Sequence, residues 1–282
     1  MTAGGVAEGA SLLVVGLFKK LALADYLGLY VDSVYATPWK YGPVPLAAAT
    51  FAFGWQIYFD FSGYTDMARG IARAMGYRLM LNFNRPYLAD SLGDFWRRWH
   101  ISLSTWFRDY VYVPLGGSRA GKLRTYRNLV LTMLICGLWH GAAWTFVIWG
   151  ALHAAGQAAT RELERSAFYA RRVPKLLKQA AVFVFVTFAW IFFRAESVTD
   201  AWIIVRRLLL PGEWGRGALE APFPLAAAGL IAAVWGYQYL SETRVRRVLR
   251  PAPVRVGLMV IMLLYLALVG GPAGRPFIYF QF

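Results

Sequence analysis

Cysteine, acidic residues and histidine are what this sequence has little of. Its one cysteine, Cys136, excludes an intrachain disulfide framework and reads as a small apolar residue on a packed helix. Asp and Glu number 15 against 30 Lys and Arg, for a formal net charge of +15. Three histidines among 282 residues confine any imidazole chemistry to His100, His140 and His153. No basic segment precedes the first apolar run, which argues against a cleaved signal peptide. No internal repeat or low-complexity segment stands out.

Apolar residues are abundant instead. With 58% hydrophobic residues, 17% aromatic residues and a mean hydropathy of +0.43, the chain has too little polar surface to face water alone. Its solvent is partly lipid. In a soluble chain the positive charge would suggest nucleic acid as a partner, but here the cations gather between apolar runs, at residues 119–127, 161–178 and 244–255. That is the pattern of loops retained on the cytoplasmic side of a membrane, so no nucleic acid is expected.

Taken in order, residues 11–35 are amphipathic but interrupted by Lys19, Lys20, Asp25 and Asp32, which predicts an interfacial or partly buried helix within residues 1–40. Pro38, Pro43 and Pro45 break the chain. Residues 44–61 then form an apolar run of spanning length that continues helically to residue 76, giving the first membrane helix. Asp60, Ser62, Tyr64 and Asp66 lie at or near its membrane end. Asp60 and Tyr64 are one turn apart, as are Asp66 and Arg69, so both acids have local partners, at the headgroups or lining a cavity. Further apolar runs cover residues 179–193, 221–240 and 254–271. An interfacial helix over residues 202–210 is closed by Pro211 and Gly212, and the aromatic segment 275–282 suits the interface. The expectation is an all-α polytopic integral membrane protein with about five spans and one membrane-embedded domain over residues 1–282. The loops around Lys175 and Arg247 face the cytoplasm in this reading, and that around Arg207 faces out.

Residues 82–144 hold the candidate site, with residues 145–282 supplying the C-terminal membrane helices. In a helix over residues 92–110, Leu92, Trp96, Trp99, Leu103, Trp106 and Tyr110 recur at spacings of four and three as one buried stripe. Arg97, His100 and Ser104 form the adjoining stripe, which aims His100 at a polar cavity or into a structural hydrogen bond. Pro114, Gly116 and Gly117 end that helix. Residues 128–154 are apolar enough to span, with His140 near the middle; Cys136 and Gly137 lie one turn before it, and Gly141 and Trp144 follow. Small neighbours admit another backbone or a ligand to the imidazole, and an intramembrane histidine is a functional candidate. On a continuous helix His153 would sit about 220° around from His140, off its face, and is read as structural. If residues 119–127 are inside, the chain must break or re-enter near His140, which is tolerated only where the backbone lines a cavity.

Several motifs resemble one family. Tyr58-Phe-Asp-Phe-Ser-Gly-Tyr-Thr-Asp66, Asn82-Phe-Asn-Arg-Pro-Tyr87, Phe95-Trp-Arg-Arg-Trp-His-Ile-Ser-Leu-Ser-Thr-Trp106, Arg108-Asp-Tyr110 and Leu138-Trp-His-Gly141 are similar to those of the membrane-bound O-acyltransferases. The branch they resemble is that of the bacterial alginate O-acetylation proteins, related to the D-alanyl transfer proteins of Gram-positive walls. Gly16-Leu-Phe-Lys-Lys20 and Phe277-Ile-Tyr-Phe-Gln-Phe282 extend the likeness over nearly the whole chain. The resemblance implies that family's helical fold, apparently without the membrane helices that usually precede the position of Gly16.

It further implies transfer of an acyl group, most simply acetyl, from a thioester to a hydroxyl of a cell-surface polysaccharide or to a relay partner. His140 becomes the catalytic residue, acting as general base, and His100 matches the second histidine of the branch. Asn84, Arg97, Trp139 and Trp144, with Ser104, Asp60 and Tyr64, complete the expected substrate-binding set. No metal and no tightly bound cofactor is implied. The donor is acetyl-CoA or a carrier-bound acyl thioester, and the partners are membrane lipid, that donor, and a polysaccharide acceptor or periplasmic acetyl-transfer partner. The implied location is the bacterial cytoplasmic (inner) membrane, crossed several times. Two rivals use the same residues. A bis-histidine haem protein is poorly served by His140 and His153 on different faces. A transporter or channel would use intramembrane Asp and His as a relay and would move solute without transferring an acyl group.

Overall fold

A computed structural model of the chain describes residues 2–119, 121–210, 225–243, 251–269 and 275–278. Among the described residues the regular structure is helical, with no strand. Residues 244–250 of the last basic cluster, including Arg247, lie outside the described residues, as do Pro211 and Gly212. So do the ends of three expected segments, residues 221–224, 270–271 and 279–282.

The chain forms two compact units. The first comprises residues 1–37, 47–80 and 219–282, and the second residues 38–46 and 81–218. In the first, α1 (Ala3–Leu17) runs through a π-helical segment (Phe18–Ala24) into α2 (Asp25–Tyr35), and α3 follows as Pro43–Ala74. Glycines let α1 lie against α3 at backbone contact. A Cβ on Gly9 would stand 2.5 Å from the Gly70 carbonyl oxygen, and one on Gly16 would stand 2.6 Å from that of Gly63. Such small-residue seams are how helices associate where lipid supplies no hydrophobic drive.

The charges that made residues 11–35 look interfacial are neutralised inside this unit. Lys20 Nζ lies 2.7 Å from Asp25 Oδ1 and 2.8 Å from Asp60 Oδ1, and Lys19 Nζ lies 2.7 Å from Asp66 Oδ2. Lys20 and Asp25 are only 5% and 2% exposed while Tyr26 and Leu29 are 39% and 42% exposed, so of the two expectations the run fits the partly buried one. Asp66 and Arg69 do pair, at 3.3 Å. Asp60 is matched across the unit by Lys20 and by the Ile278 N–H at 2.9 Å, where sequence offered Tyr64 one turn away.

In the second unit α4 (Leu92–Arg98) and α5 (Ile101–Phe107) are separated by Trp99 and His100, and a π-helical turn (Arg108–Tyr112) follows. The continuous helix over residues 92–110 is therefore corrected to two short helices with a bend at the histidine. α6 (Lys122–His140) and α7 (Trp144–Arg165) form an antiparallel hairpin with a three-residue break at residues 141–143. A Cβ on Gly137 would stand 2.3 Å from the Phe146 carbonyl oxygen and one on Gly150 2.4 Å from that of Met133, so both positions must be bare for the helices to meet. α8 (Ala167–Arg172), α9 (Lys175–Arg194) and α10 (Val198–Leu209) follow, and α9 packs on α7 and α10. α11 (Leu225–Glu242) and α12 (Ala252–Val269) belong to the first unit.

Among the described residues, one helix is long and apolar enough to cross a bilayer on length and composition alone. It is α9, with mean hydropathy 2.0; residues 253–268 form a shorter apolar helix. The other expected spans are more polar or only partly described: α3 is interrupted by polar residues, α6 begins and α7 ends in a charged turn, and parts of the expected spans at 221–240 and 254–271 lie outside the described residues.

Candidate active site

The bend at His100 begins in the loop before α4. Asn82 is 9% exposed, and its carbonyl accepts the Ile101 N–H at 2.9 Å. Its side-chain Oδ1 accepts from both the Ser102 N–H at 3.1 Å and the Ser102 hydroxyl at 3.0 Å. Asn82 thus satisfies amides in the first turn of α5, which would otherwise be orphaned. His100 adopts φ +41° and ψ +57°, a left-handed conformation costly for a residue with a Cβ, of order 1–3 kcal/mol. The neighbouring Trp99 holds the bend from the other side, with its ring 5.0 Å from Phe83, 5.1 Å from Trp190 and 5.6 Å from Phe95.

The hydrogen bonds also hold the His100 ring. Ser102 Oγ donates to Asn82 Oδ1 at 3.0 Å and lies 3.3 Å from His100 Nδ1, so the Ser–Asn pair anchors one edge of the imidazole.

His140 sits at the last residue of α6, 7% exposed, with Gly141 after it. Its ring lies 4.9 Å from Trp139, 5.0 Å from Phe193, 5.3 Å from Trp149 and 6.3 Å from Phe146. A Cβ on Gly141 would come within 2.5 Å of the Phe146 ring, so glycine there lets that ring close over the histidine. Trp139 connects the two histidines, its ring also being 6.5 Å from that of His100. His100 and His140 are thus brought to one region of the second unit by three separate elements, α5, α6 and α7.

The hairpin removes the angular argument made for His153, though not its structural reading. Because the helix breaks at residues 141–143, the angular count from His140 does not apply. Trp149 touches both rings, at 5.3 Å from His140 and 4.7 Å from His153. His153 is fully buried, enclosed further by Trp96 and Phe95 at 5.2 Å and 6.1 Å, and neither ring nitrogen finds a hydrogen-bond partner among the described residues. The signal in the sequence was Gly141, which marks a break as readily as a close approach.

The remaining expected residues distribute unevenly. Trp139 and Trp144 are 55% and 74% exposed, on either side of the hairpin tip. The Arg97 side chain is 72% exposed and stands 3.6 Å from Asp94, and Asn84 is exposed with its N–H donated to the Arg98 carbonyl. Ser104 does not share a stripe with His100, since its hydroxyl donates to the Trp99 carbonyl at 3.0 Å. Trp106 and Tyr110, expected in the buried stripe, are 51% and 69% exposed because the bend turns α5 away from the α4 face. Asp60 and Tyr64 belong to the first unit, where Asp60 completes the Lys20 ion cluster and Tyr64 packs on Phe277 at 5.3 Å. Sequence reasoning missed Asn82, Ser102, Trp149 and Phe193. A groove of about 550 Å³ on α9, lined by Ala180, Ala181, Val184, Phe185 and Phe188, carries no group able to do acid–base chemistry.

Comparison with known proteins identifies the family. The chain is 46% identical to the probable alginate O-acetylase of Azotobacter vinelandii over 209 residues, covering 74% of this chain and 41% of that protein. It is 38% identical to the corresponding protein of Pseudomonas putida over 300 residues, covering 98% of this chain and 61% of the relative. It is 40% identical to the peptidoglycan O-acetyltransferase of Helicobacter pylori over 205 residues, or 72% and 39% of the two chains. The chain therefore spans between 39% and 61% of the length of these relatives. A family profile described as the membrane-bound O-acyltransferase family matches residues 17–199, a stretch that contains all three histidines and both helices of the hairpin. With well over half of its length matched, the chain belongs to the membrane-bound O-acyltransferase family.

Proposed function

We propose that this chain carries out O-acyl transfer, moving an acetyl group from a thioester to a hydroxyl of a cell-surface polysaccharide or to a relay partner, with His140 as general base. The observation that carries this reading is the placement of two buried histidines about Trp139, one at the tip of the α6–α7 hairpin and one at a strained bend. Relatives named as alginate and peptidoglycan O-acetylating proteins support the acceptor class.

In this reading neutral His140 takes the acceptor's hydroxyl proton as its oxygen attacks the thioester carbonyl. The C–O bond forms, the tetrahedral oxyanion collapses, the C–S bond breaks, and the imidazolium returns the proton to the leaving thiolate. Aromatic walls from α7 and α9 keep water from competing for the acyl group. His100, held by Ser102 and Asn82, orients the hydroxyl, and the indoles of Trp139 and Trp144 meet the substrate at the hairpin tip. Asn84 and Arg97, exposed beside α4, contact the donor or acceptor outside the buried site. Acetyl-CoA and a carrier-bound acyl thioester both satisfy this chemistry.

The same reading makes the chain polytopic in a bacterial inner membrane. The charged ends of the hairpin support it. Lys122 Nζ pairs with Glu162 at 2.7 Å and Tyr126 also bonds Glu162, so the polar start of α6 and the polar end of α7 lie together. Both then face one side, with Lys175 on that side and the end of α10 on the other. Membranes holding the chain should pass radiolabel from an acetyl thioester to an acceptor polysaccharide. Solute movement without label transfer would remove the proposal. An impermeant thiol reagent should reach a cysteine placed at position 209, but not one at 175, in intact cells; the opposite pattern would invert the topology.

A further inference from the structure

The first unit holds a second polar cavity, remote in sequence from the histidines. It has a volume of about 380 Å³ and is lined by Glu8, Leu12, Arg69, Arg73, Tyr77, Arg78 and Leu79. Its charge is out of balance. Arg73 Nε is matched by Glu8 at 2.8 Å, but Arg69 approaches Asp66 at only 3.3 Å, and Lys19 already holds that carboxylate at 2.7 Å. Arg78 makes no ion pair and no hydrogen bond among the described residues, and Arg69 carries a buried Nε–H that no described group accepts. Four cations thus share two carboxylates. The surplus is felt by Glu8, whose carboxyl is held below its usual range first by Arg73 and further by Arg78 and Arg255.

We propose that this cavity binds a phosphate group carried by an anionic lipid. Guanidinium forks match phosphate oxygens in a bidentate manner, and a cavity of this size takes a phosphodiester with its first headgroup atoms. The surroundings favour a lipid over a free anion. Ile71, Met75, Leu79 and Met80 are each more than half exposed beside the arginines, as is the Tyr77 ring. An apolar skirt next to a basic pocket is the arrangement that seats acyl chains and headgroup together. α3 supplies the height. Its 32 residues run to about 48 Å, against a hydrocarbon core of about 30 Å, so its arginine-bearing end reaches the headgroup level. This site does not depend on the acyl-transfer reading.

Native mass spectrometry of the detergent-purified chain tests it with three probes: phosphatidylglycerol, diacylglycerol of the same acyl composition, and inorganic phosphate. Phosphatidylglycerol should be retained and diacylglycerol lost. Arg78→Gln, which breaks no pair of the fold, should weaken retention about tenfold, the loss of roughly one charge-assisted bond. Arg69→Gln should act in the same direction. Inorganic phosphate that displaces the lipid at comparable concentration would keep the phosphate site but assign it to a soluble anion. Equal retention of both lipids, or retention unchanged in both variants with melting temperature preserved, would overturn the proposal.

Discussion

The two units treat buried titratable groups in opposite ways. In the first, buried charges are paired with one another: Lys20 lies between Asp25 and Asp60, with the Ile278 N–H on the second Asp60 oxygen and the Phe277 ring 4.6 Å from the ammonium. In the second, the buried groups are imidazoles, which can be neutral at cellular pH, and aromatic rings enclose them. An ion cluster of the first kind fixes geometry, its carboxylates buried around one ammonium. An imidazole among rings can take up or release a proton, provided something orients it. The first arrangement suits a scaffold and the second suits the proposed site.

Breaking the second unit at His140 should have the largest effect. His140→Ala should lower acyl transfer by roughly 10²- to 10⁴-fold, the range for a positioned general base, with membrane insertion unchanged. His100→Gln keeps a donor and an acceptor but no basicity, and should leave measurable activity. Transfer assays on membranes with matched protein levels decide between them. An active His140→Ala variant removes the proposed base, and a silent His100→Gln beside it exchanges the two roles.

The first unit should break through stability. Lys20→Met leaves Asp25 and Asp60 facing each other in a site where all three side chains are at most 6% exposed. Removing one partner of a buried charge cluster costs about 3–5 kcal/mol. Thermal melting in detergent should therefore drop sharply, and a melting temperature within a degree or two of the parent would show the cluster to be dispensable. Whatever protein remains folded should retain its transfer rate per molecule, because these charges hold the scaffold.

Much of this contrast could be read from the sequence, and the parts that could not share a cause. The helix over residues 44–76 was legible because spanning length and flanking prolines agree, and α3 is found at Pro43–Ala74. The apolar run at 179–193 was legible for the same reason, and α9 covers it as Lys175–Arg194. The bend at His100 was hidden, because the spacing of Trp96, Trp99 and Leu103 is helical across it. Nothing in that periodicity reports a left-handed residue held by an asparagine eighteen positions earlier. Likewise the ion partner of Asp60 lies 40 residues away at Lys20, beyond any one-turn rule. Local pattern gives helices, whereas partners set by tertiary packing leave no local trace.

The finest test of the contrast lies within a single motif, where Asn82 and Asn84 stand two residues apart and sequence singled out Asn84 for substrate binding without marking Asn82, whose side chain supports the bend at His100. Asn82 Oδ1 accepts from the backbone and hydroxyl of Ser102, and that hydroxyl contacts His100 Nδ1. Asn82→Ala should cost about 1 kcal/mol in stability, as loss of a helix-start acceptor does. It should also free the imidazole to rotate or change tautomer, lowering kcat by about tenfold with KM little changed, as expected for a group that acts through His100. Asn84→Ala removes only an exposed side chain whose backbone N–H still reaches Arg98, so its kcat should stay within about twofold of the parent. Asn82→Asp preserves the acceptor oxygen and should recover part of the loss. If Asn84→Ala lowers kcat more than Asn82→Ala does, the orienting chain from Asn82 through Ser102 to His100 has no catalytic role; a rise in KM alone in Asn84→Ala fits its contact with substrate.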